Sequence, residues 1–422
     1  MRPRRIAAAG VLAPVLVLAL ASSAALAKTW SGPQVISGWK NGPVAISSVA
    51  PTTVATLPLP KGRWIIWSKL FISSEIAATN GQVDCALYGS QSYGRADVWV
   101  SGTAATPPSI EPLALSVGAK FGKTGGNVQL QCLATNFSAN PGQYSASWIK
   151  IMALRVGTMI QMDLDRGVTV TSGSGKPVAV IASRGGPISL PGTKSKSLEK
   201  LWLSAGSWWV RSSFTYELPS SSTAAECTLS LGNRALDWTS IAASQSVGIL
   251  DGAAWSGGGG WLKTTCQPVL YSSGQPPETA RYEWITAVKL GSLQIDENGT
   301  TQTYGTGKPK AEVTAMATIP NQVSGSWSTV ASRNTEAGSW MFLGKVHLGG
   351  AAVTCQLIAA PDYDQTQGAF SGYLVYPFAV VHTFAGPGAA TLQCQAASGS
   401  ATANSIRIMA LNLATLQNTQ LP

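Results

Sequence analysis

Two histidines, nineteen acidic residues, fifteen tryptophans and six cysteines carry whatever chemistry this 422-residue chain can perform. The histidines, His347 and His382, both lie in the last quarter of the chain. No Gly-x-Ser-x-Gly elbow, which would present a nucleophilic serine, and no His-x-x-x-His pair, which would present zinc ligands, accompanies them. The stretch Asp362-x-Asp364-x-Thr366-x-Gly368 approximates a calcium loop. Such a loop needs its glycine at the sixth position and a glutamate at the twelfth; here glycine is seventh and Tyr373 is twelfth. Asp163-x-Asp165 sits in a join between larger units. Glycoside hydrolysis needs two facing carboxylates, and acids such as Glu283 and Glu312 have no partner at a diagnostic spacing. No catalytic residue, metal site or cofactor is expected. A hydrolase whose carboxylate pair spacing alone cannot reveal is the weaker alternative.

The cysteines point to covalent rather than catalytic chemistry. No Cys-x-x-Cys spacing suggests a metal ligand set. The first 27 residues have the form of a secretory signal: basic Arg2, Arg4 and Arg5, an apolar run from Ile6 to Ala21, and a small-residue site at Ala25-Leu26-Ala27. Export implies an oxidising compartment, where six cysteines read as three disulfides. No later apolar stretch is long enough to span a bilayer. The expected location is secreted, extracellular or loosely cell-surface associated.

Charge narrows the partners. Charged residues make up 11% of the chain, against roughly a quarter in an average soluble protein. Three arginines fall in the signal and no acid does, which lowers the net +10 to +7 for the remainder. The cations are scattered, with Lys194-Ser195-Lys196 the densest group, so no nucleic-acid site is expected. A cell-wall polymer, a glycan or a protein is the expected partner.

The elements that must position these residues come in three copies. Gly62-Arg63-Trp64, Gly206-Ser207-Trp208 and Gly338-Ser339-Trp340 open corresponding strands. Phe121, Trp255 and Phe384 align before a Gly-rich turn and a second cysteine. Ile151 to Gly157, Ile285 to Gly291 and Ile408 to Ala414 close each copy. One cysteine pair per copy gives Cys85 with Cys132, Cys227 with Cys266 and Cys355 with Cys394. Closing loops of that size stabilises each unit by roughly 4 kcal/mol in the chain-entropy model. Val128-Gln129-Leu130-Gln131 alternates with period two, turn signals recur, and no stretch holds a helical period. The fold class is therefore all-β: a signal over 1–27, then β-sandwich repeats over 28–163, 176–297 and 308–422. Gly173 to Pro177 and Gly305 to Pro309 read as protease-sensitive linkers, which favours separate domains on a string.

The repeat also sorts the tryptophans. Trp64, Trp208, Trp340 and Trp255 fall at repeated positions and read as core. Trp67, Trp99, Trp148, Trp202, Trp238, Trp261, Trp284 and Trp327 do not repeat. Trp284 aligns with Lys150 and Arg407, charged positions in the sister copies, so it should face outward. Trp284, Trp67 and Trp148 are the candidate ligand-binding residues, since an exposed aromatic can stack on a sugar face or enter a protein partner. His347 aligns with Phe71 and Thr215, and His382 with Ala119 and Ala253, so no histidine repeats threefold.

The order of these marks resembles the tumour-necrosis-factor-like jelly roll, shared with the globular head of complement. Gly62-Arg63-Trp64 matches its early Gly-x-aromatic strand, Cys85-Ala86-Leu87 its small-residue/Leu strand end, and Val128-Gln129-Leu130-Gln131 its Val-x-Leu-x strand. The chain is also similar to secreted two-Cys repeat proteins of high-GC bacteria. The resemblance implies jelly-roll domains with the two cysteine strands adjacent in one sheet, and no catalytic residue. Members of that family assemble as trimers, so it also implies an alternative to the string: three copies closed around a pseudo-threefold axis. The resulting expectation is a non-catalytic extracellular binding or structural protein, with a carbohydrate-binding protein using exposed tryptophans as the alternative.

Overall fold

The computed structural model describes residues 33–74, 80–101, 110–135, 144–190, 192–217, 224–242, 247–269, 277–316, 321–350, 352–368 and 372–422. The signal segment lies outside them. The described residues contain strands and turns, with no helix. Six sheets form three two-sheet sandwiches, one per repeat. Each sandwich pairs a broad inner sheet with a four-stranded outer sheet.

The outer sheets carry the disulfides. Cys85 and Cys132 are direct cross-strand neighbours, as are Cys227 with Cys266 and Cys355 with Cys394, and each pair is bonded. Outer strands alternate buried and half-buried residues, as in Gly126–Thr135 and Gly388–Ala396. The alternation follows from a sheet with one face on the core and one in water.

The inner sheets read differently. Gly62–Ser74, Gly206–Glu217 and Gly338–Gly350 are buried almost continuously. Trp64 and Ile66 face the core of the first sandwich, while Ile65 and Trp67 face a different one. That second core collects Ile65, Trp67 and Leu154 from the first repeat, Trp209 and Val288 from the second, and Met341, Leu343 and Met409 from the third. A sheet buried on both faces loses its period-two signal, which is why these strands are unbroken apolar runs.

The joins complete this axial arrangement and overturn the string of separate domains. The strand Thr158–Asp163, at the end of the first repeat, pairs in parallel with Val178–Arg184 of the second. Ser292–Glu297 pairs in the same way with Lys310–Met316 of the third. Thr415–Gln420, at the end of the third repeat, pairs in parallel with Gln34–Lys40 of the first. Each repeat thus adds a strand to the next, and the third returns to the first. The backbone contacts repeat too: Gly157 N–H donates to the Pro177 carbonyl, Gly291 to Pro309, and Ala414 to Pro33. The segments expected to be loose linkers are folded. Thr158 Oγ1 donates to the Gly175 carbonyl at 2.7 Å. A Cβ on Gly157 would fall 2.2 Å from the Gly175 backbone, so glycine is needed there for close approach.

Candidate functional site

Threefold repetition makes each interface between repeats a test of the other two. The positions that meet there come from an outer-sheet edge of one repeat and a bulged inner strand of the next. The bulge places Trp148, Tyr282 and Ser405 in the left-handed region, at φ of 49°, 53° and 44°. Non-glycine residues rarely adopt that conformation, so its triple recurrence marks a built feature.

Between the second and third repeats, Asp237 is the hub. It accepts from the Asp251 N–H at 2.7 Å, from Lys345 Nζ at 2.5 Å and from Ser405 Oγ at 3.2 Å. Arg407 lies 3.5 Å from the same carboxylate and donates to the Leu236 carbonyl at 2.7 Å. Between the third and first repeats, Asp364 takes the corresponding place. It accepts from the Ala379 N–H at 2.8 Å and pairs with Lys69 at 2.7 Å. Lys150 donates to the Tyr363 carbonyl. Burial drives the Lys69 ammonium down to about 8 and lowers Lys345 as well, against the pull of their acids.

Between the first and second repeats every member of this set is replaced. Gly94 stands opposite Leu87 where Asp237 and Asp364 stand opposite Leu229 and Leu357. Ser213 faces Trp284 across the strands where Lys69 faces Lys150 and Lys345 faces Arg407. Asp97 supplies a substitute contact, pairing with Arg281 at 3.1 Å, and its N–H donates to Thr215 Oγ1. Arg95 and Arg281 lie against the Tyr282 ring at 5.1 and 5.2 Å.

The exchange opens a groove. At the interface of the second and third repeats, the space bounded by Leu236, Ile295, Val313, Ala315 and Arg407 is about 10 Å³. The corresponding space at the first interface, bounded by Tyr93, Gln161, Ile181, Ser183 and Trp284, is about 520 Å³. Arg234 and Glu297 pair across the closed site at 3.4 Å, while the open one has Gln91 and Asp163 in its lining. Tyr93 is 58% exposed at the mouth. The hairpin of Thr158–Asp163 and Val168–Ser172 forms one wall, through Val168, Val170, Asp165 and Arg166. Asp165 accepts from the N–H groups of Gly185 and Gly186 and fixes the end of that wall.

The structure separates the three candidate tryptophans. Trp284 is half-buried and lines the groove. Trp67 is no ligand platform: it is buried at the axis, edge-on to Trp209 at 4.9 Å, and donates to Thr286 Oγ1 at 3.2 Å. Trp148 is a contact between repeats, packed on the third repeat's core with its ring 6.5 Å from Tyr363. Trp255 also departs from expectation, being 48% exposed. Strand register pairs Gly62, Gly206 and Gly338 with Phe121, Ser256 and Phe384, so Trp255 corresponds to Lys120 and Thr383. A one-residue slip in alignment moves a side chain to the opposite face. The same slip makes Ala254, not Ala253, the counterpart of His382.

The remaining candidates hold structure together. His347 is buried, bonds Asn404 Oδ1 through Nδ1 at 2.6 Å, and is driven down to about 4 by burial. His382 Nδ1 lies 2.8 Å from Asp362. The carboxylate Glu312 is held by Arg333 and Lys310. Glu283 does have an acidic neighbour that spacing could not reveal, Glu199. Burial pushes both carboxyls up. They are buried between the two sheets of the second repeat, Glu283 1% and Glu199 2% exposed. Among the described residues no group of three or more His, Cys, Asp or Glu side chains could hold a metal ion.

No family model matches the chain, and none of the curated proteins matches it. Among solved structures, the VP2 subviral particle of infectious bursal disease virus is similar over 91% of this chain and 82% of that chain, at 9% identity and a TM-score of 0.23. The N-terminal CBM22-1-CBM22-2 tandem domain of Paenibacillus barcinonensis Xyn10C is similar over 62% of this chain and 94% of that chain, at 10% identity and a TM-score of 0.19.

Proposed function

We propose that this is a secreted, non-enzymatic binding protein that takes a saccharide in the groove between its first and second repeats. The carrying observation is the contrast between about 520 Å³ at this interface and about 10 Å³ at its counterpart. A cavity of a few hundred Å³ with aromatic walls and a few polar groups suits a small organic ligand. Tyr93, Tyr282 and Trp284 offer ring surface, and Arg166, Arg184, Asp163 and Gln161 offer hydrogen bonds to hydroxyls. The three disulfides fit the oxidising surroundings of an exported protein. The axial core and cyclic strand exchange support a closer kinship with tumour-necrosis-factor-like trimers, with the three subunits joined in one chain.

The test is a glycan array of the oxidised protein, repeated with Trp284→Arg, which installs the residue of the closed site. Wild type should bind at least one saccharide, and the variant should lose tenfold or more in affinity while keeping its fold. Equal binding by both proteins removes the groove from the site. Turnover of a bound glycan on prolonged incubation overturns the non-enzymatic reading.

A further inference from the structure

A second departure from threefold symmetry lies on the outside of the second repeat. Trp202 and Trp261 are cross-strand neighbours on the outer sheet, 52% and 42% exposed, edge-to-face at 5.3 Å. Trp255 is exposed nearby and stacks in parallel with Tyr304 at 5.3 Å. The turn joining the strands places these rings together: a Cβ on Gly257 would lie 3.1 Å from Trp255, and one on Gly259 the same distance from Trp202.

Among the described residues the sister repeats have no ring at these three positions; the exposed cross-strand pair of the first repeat, Tyr88 with Tyr93, sits on the other side of its outer sheet's cysteine strand. Register places Pro58 and Asn334 at the Trp202 position, Asn127 and Ala389 at the Trp261 position, and Lys120 and Thr383 at the Trp255 position. The next row on the sheet changes in step. Lys200 and Lys263 are cross-strand neighbours, where the sisters have Thr56 with Gln129 and Ser332 with Thr391. Lys200 Nζ sits 5.3 Å from the Trp261 ring. Among the described residues neither lysine ion-pairs with an acid. The exposed Glu226 lies further along the sheet, opposite Gln267.

From this coincidence we infer that the outer face of the second repeat binds a polymer of carboxylated sugar rings, a polyuronate. Exposed tryptophan faces stack on the C–H faces of pyranose rings, and a paired lysine row meets a regularly spaced negative charge. A phosphodiester-linked open-chain polymer would satisfy the lysines and leave the rings without a partner. A neutral glucan would satisfy the rings alone. The face is distinct from the groove, so the inference stands whether or not the groove binds a saccharide.

Affinity electrophoresis of the oxidised full-length protein in gels containing polygalacturonate, dextran or single-stranded DNA tests it. Wild type should be retarded by polygalacturonate at least tenfold more strongly than by dextran or DNA. Trp202→Asn/Trp261→Asn and Lys200→Thr/Lys263→Gln, which install sister-repeat residues, should each lose tenfold or more. The lysine variant should also lose the dependence on salt. Retardation by polygalacturonate that survives both double variants and is lost in Trp284→Arg would place the binding in the groove and overturn the inference. Absence of retardation by polygalacturonate overturns the inference. So does DNA retardation of equal strength that survives the tryptophan changes, since that is plain cation exchange.

Discussion

The interface between the first and second repeats and the interface between the second and third are built on the same strands and differ in how they treat charge. The second holds Asp237, Lys345 and Arg407 in full burial, tied to backbone carbonyls and to one another. The first has dropped the acid and both cations together, as Gly94, Ser213 and Trp284. The exchange is concerted because any partial version would strand an ion away from water, at a cost of several kcal/mol. What the first interface loses in electrostatic closure appears as open volume lined with rings. Within a repeated fold, the place that abandons the shared network is the place to look for a ligand.

The largest effect should come from breaking the buried hub. Asp237→Ala leaves Lys345 and Arg407 without their counter-ion, and should cost about 3–5 kcal/mol in urea denaturation. Asp97→Ala at the open interface removes a contact whose partner Arg281 is a quarter exposed, and should cost roughly 1 kcal/mol. Equal losses would dissolve the distinction between the interfaces.

The second repeat differs inside as well. Glu199, Glu283 and Thr264 occupy positions filled by Ala55, Ile149 and Leu130 in the first repeat, and by Ala331, Ile406 and Leu392 in the third. Arg184, which lines the groove, is a cation that acts on Glu199. Because burial raises both carboxyls above the ordinary glutamate value of 4.5, ionisation costs the folded state nothing below that pH. The cost accumulates as pH rises above it toward the raised folded values. The variant Glu199→Ala/Glu283→Ile/Thr264→Leu should match wild type near pH 4 and melt higher, by about 2–4 °C or more, near pH 8. A difference that is constant with pH would show that the acids are not sensed as charges.

The smallest effect concerns the groove itself. Trp284→Arg should change stability by less than about 1 kcal/mol, because here the groove is open and leaves the new guanidinium in water, with Asp163 and Asp165 in the same lining. Adding Gly94→Asp should not rescue it, since a Cβ at Gly94 would lie 2.1 Å from the Ser116 carbonyl oxygen. A stabilised double variant would mean that the first interface can be converted into the second, and that its opening is incidental.

The sequence carried the three copies, the all-β class and the cysteine pairs, because each depends on local pattern: a Gly-x-Trp strand start, period-two outer strands, one cysteine pair per copy. It placed Trp284 among charged counterparts, and that mismatch led to the groove. The unbroken apolar runs of the inner strands also held a signal of burial on both faces. Which core received the second face was not written there. Whether Trp67 met solvent or the axis, and whether Gly173 to Pro177 hung free or packed against Gly157, depended on three repeats meeting across more than a hundred residues of chain. Trp255 was misplaced by a single step of register, which only the hydrogen-bonded pairing with Ser207 fixes. Local sequence sets which way a strand alternates. Burial of that strand's far side is decided by what the rest of the chain brings against it, and so the tertiary structure alone assigned the axis, the groove and the exposed rings.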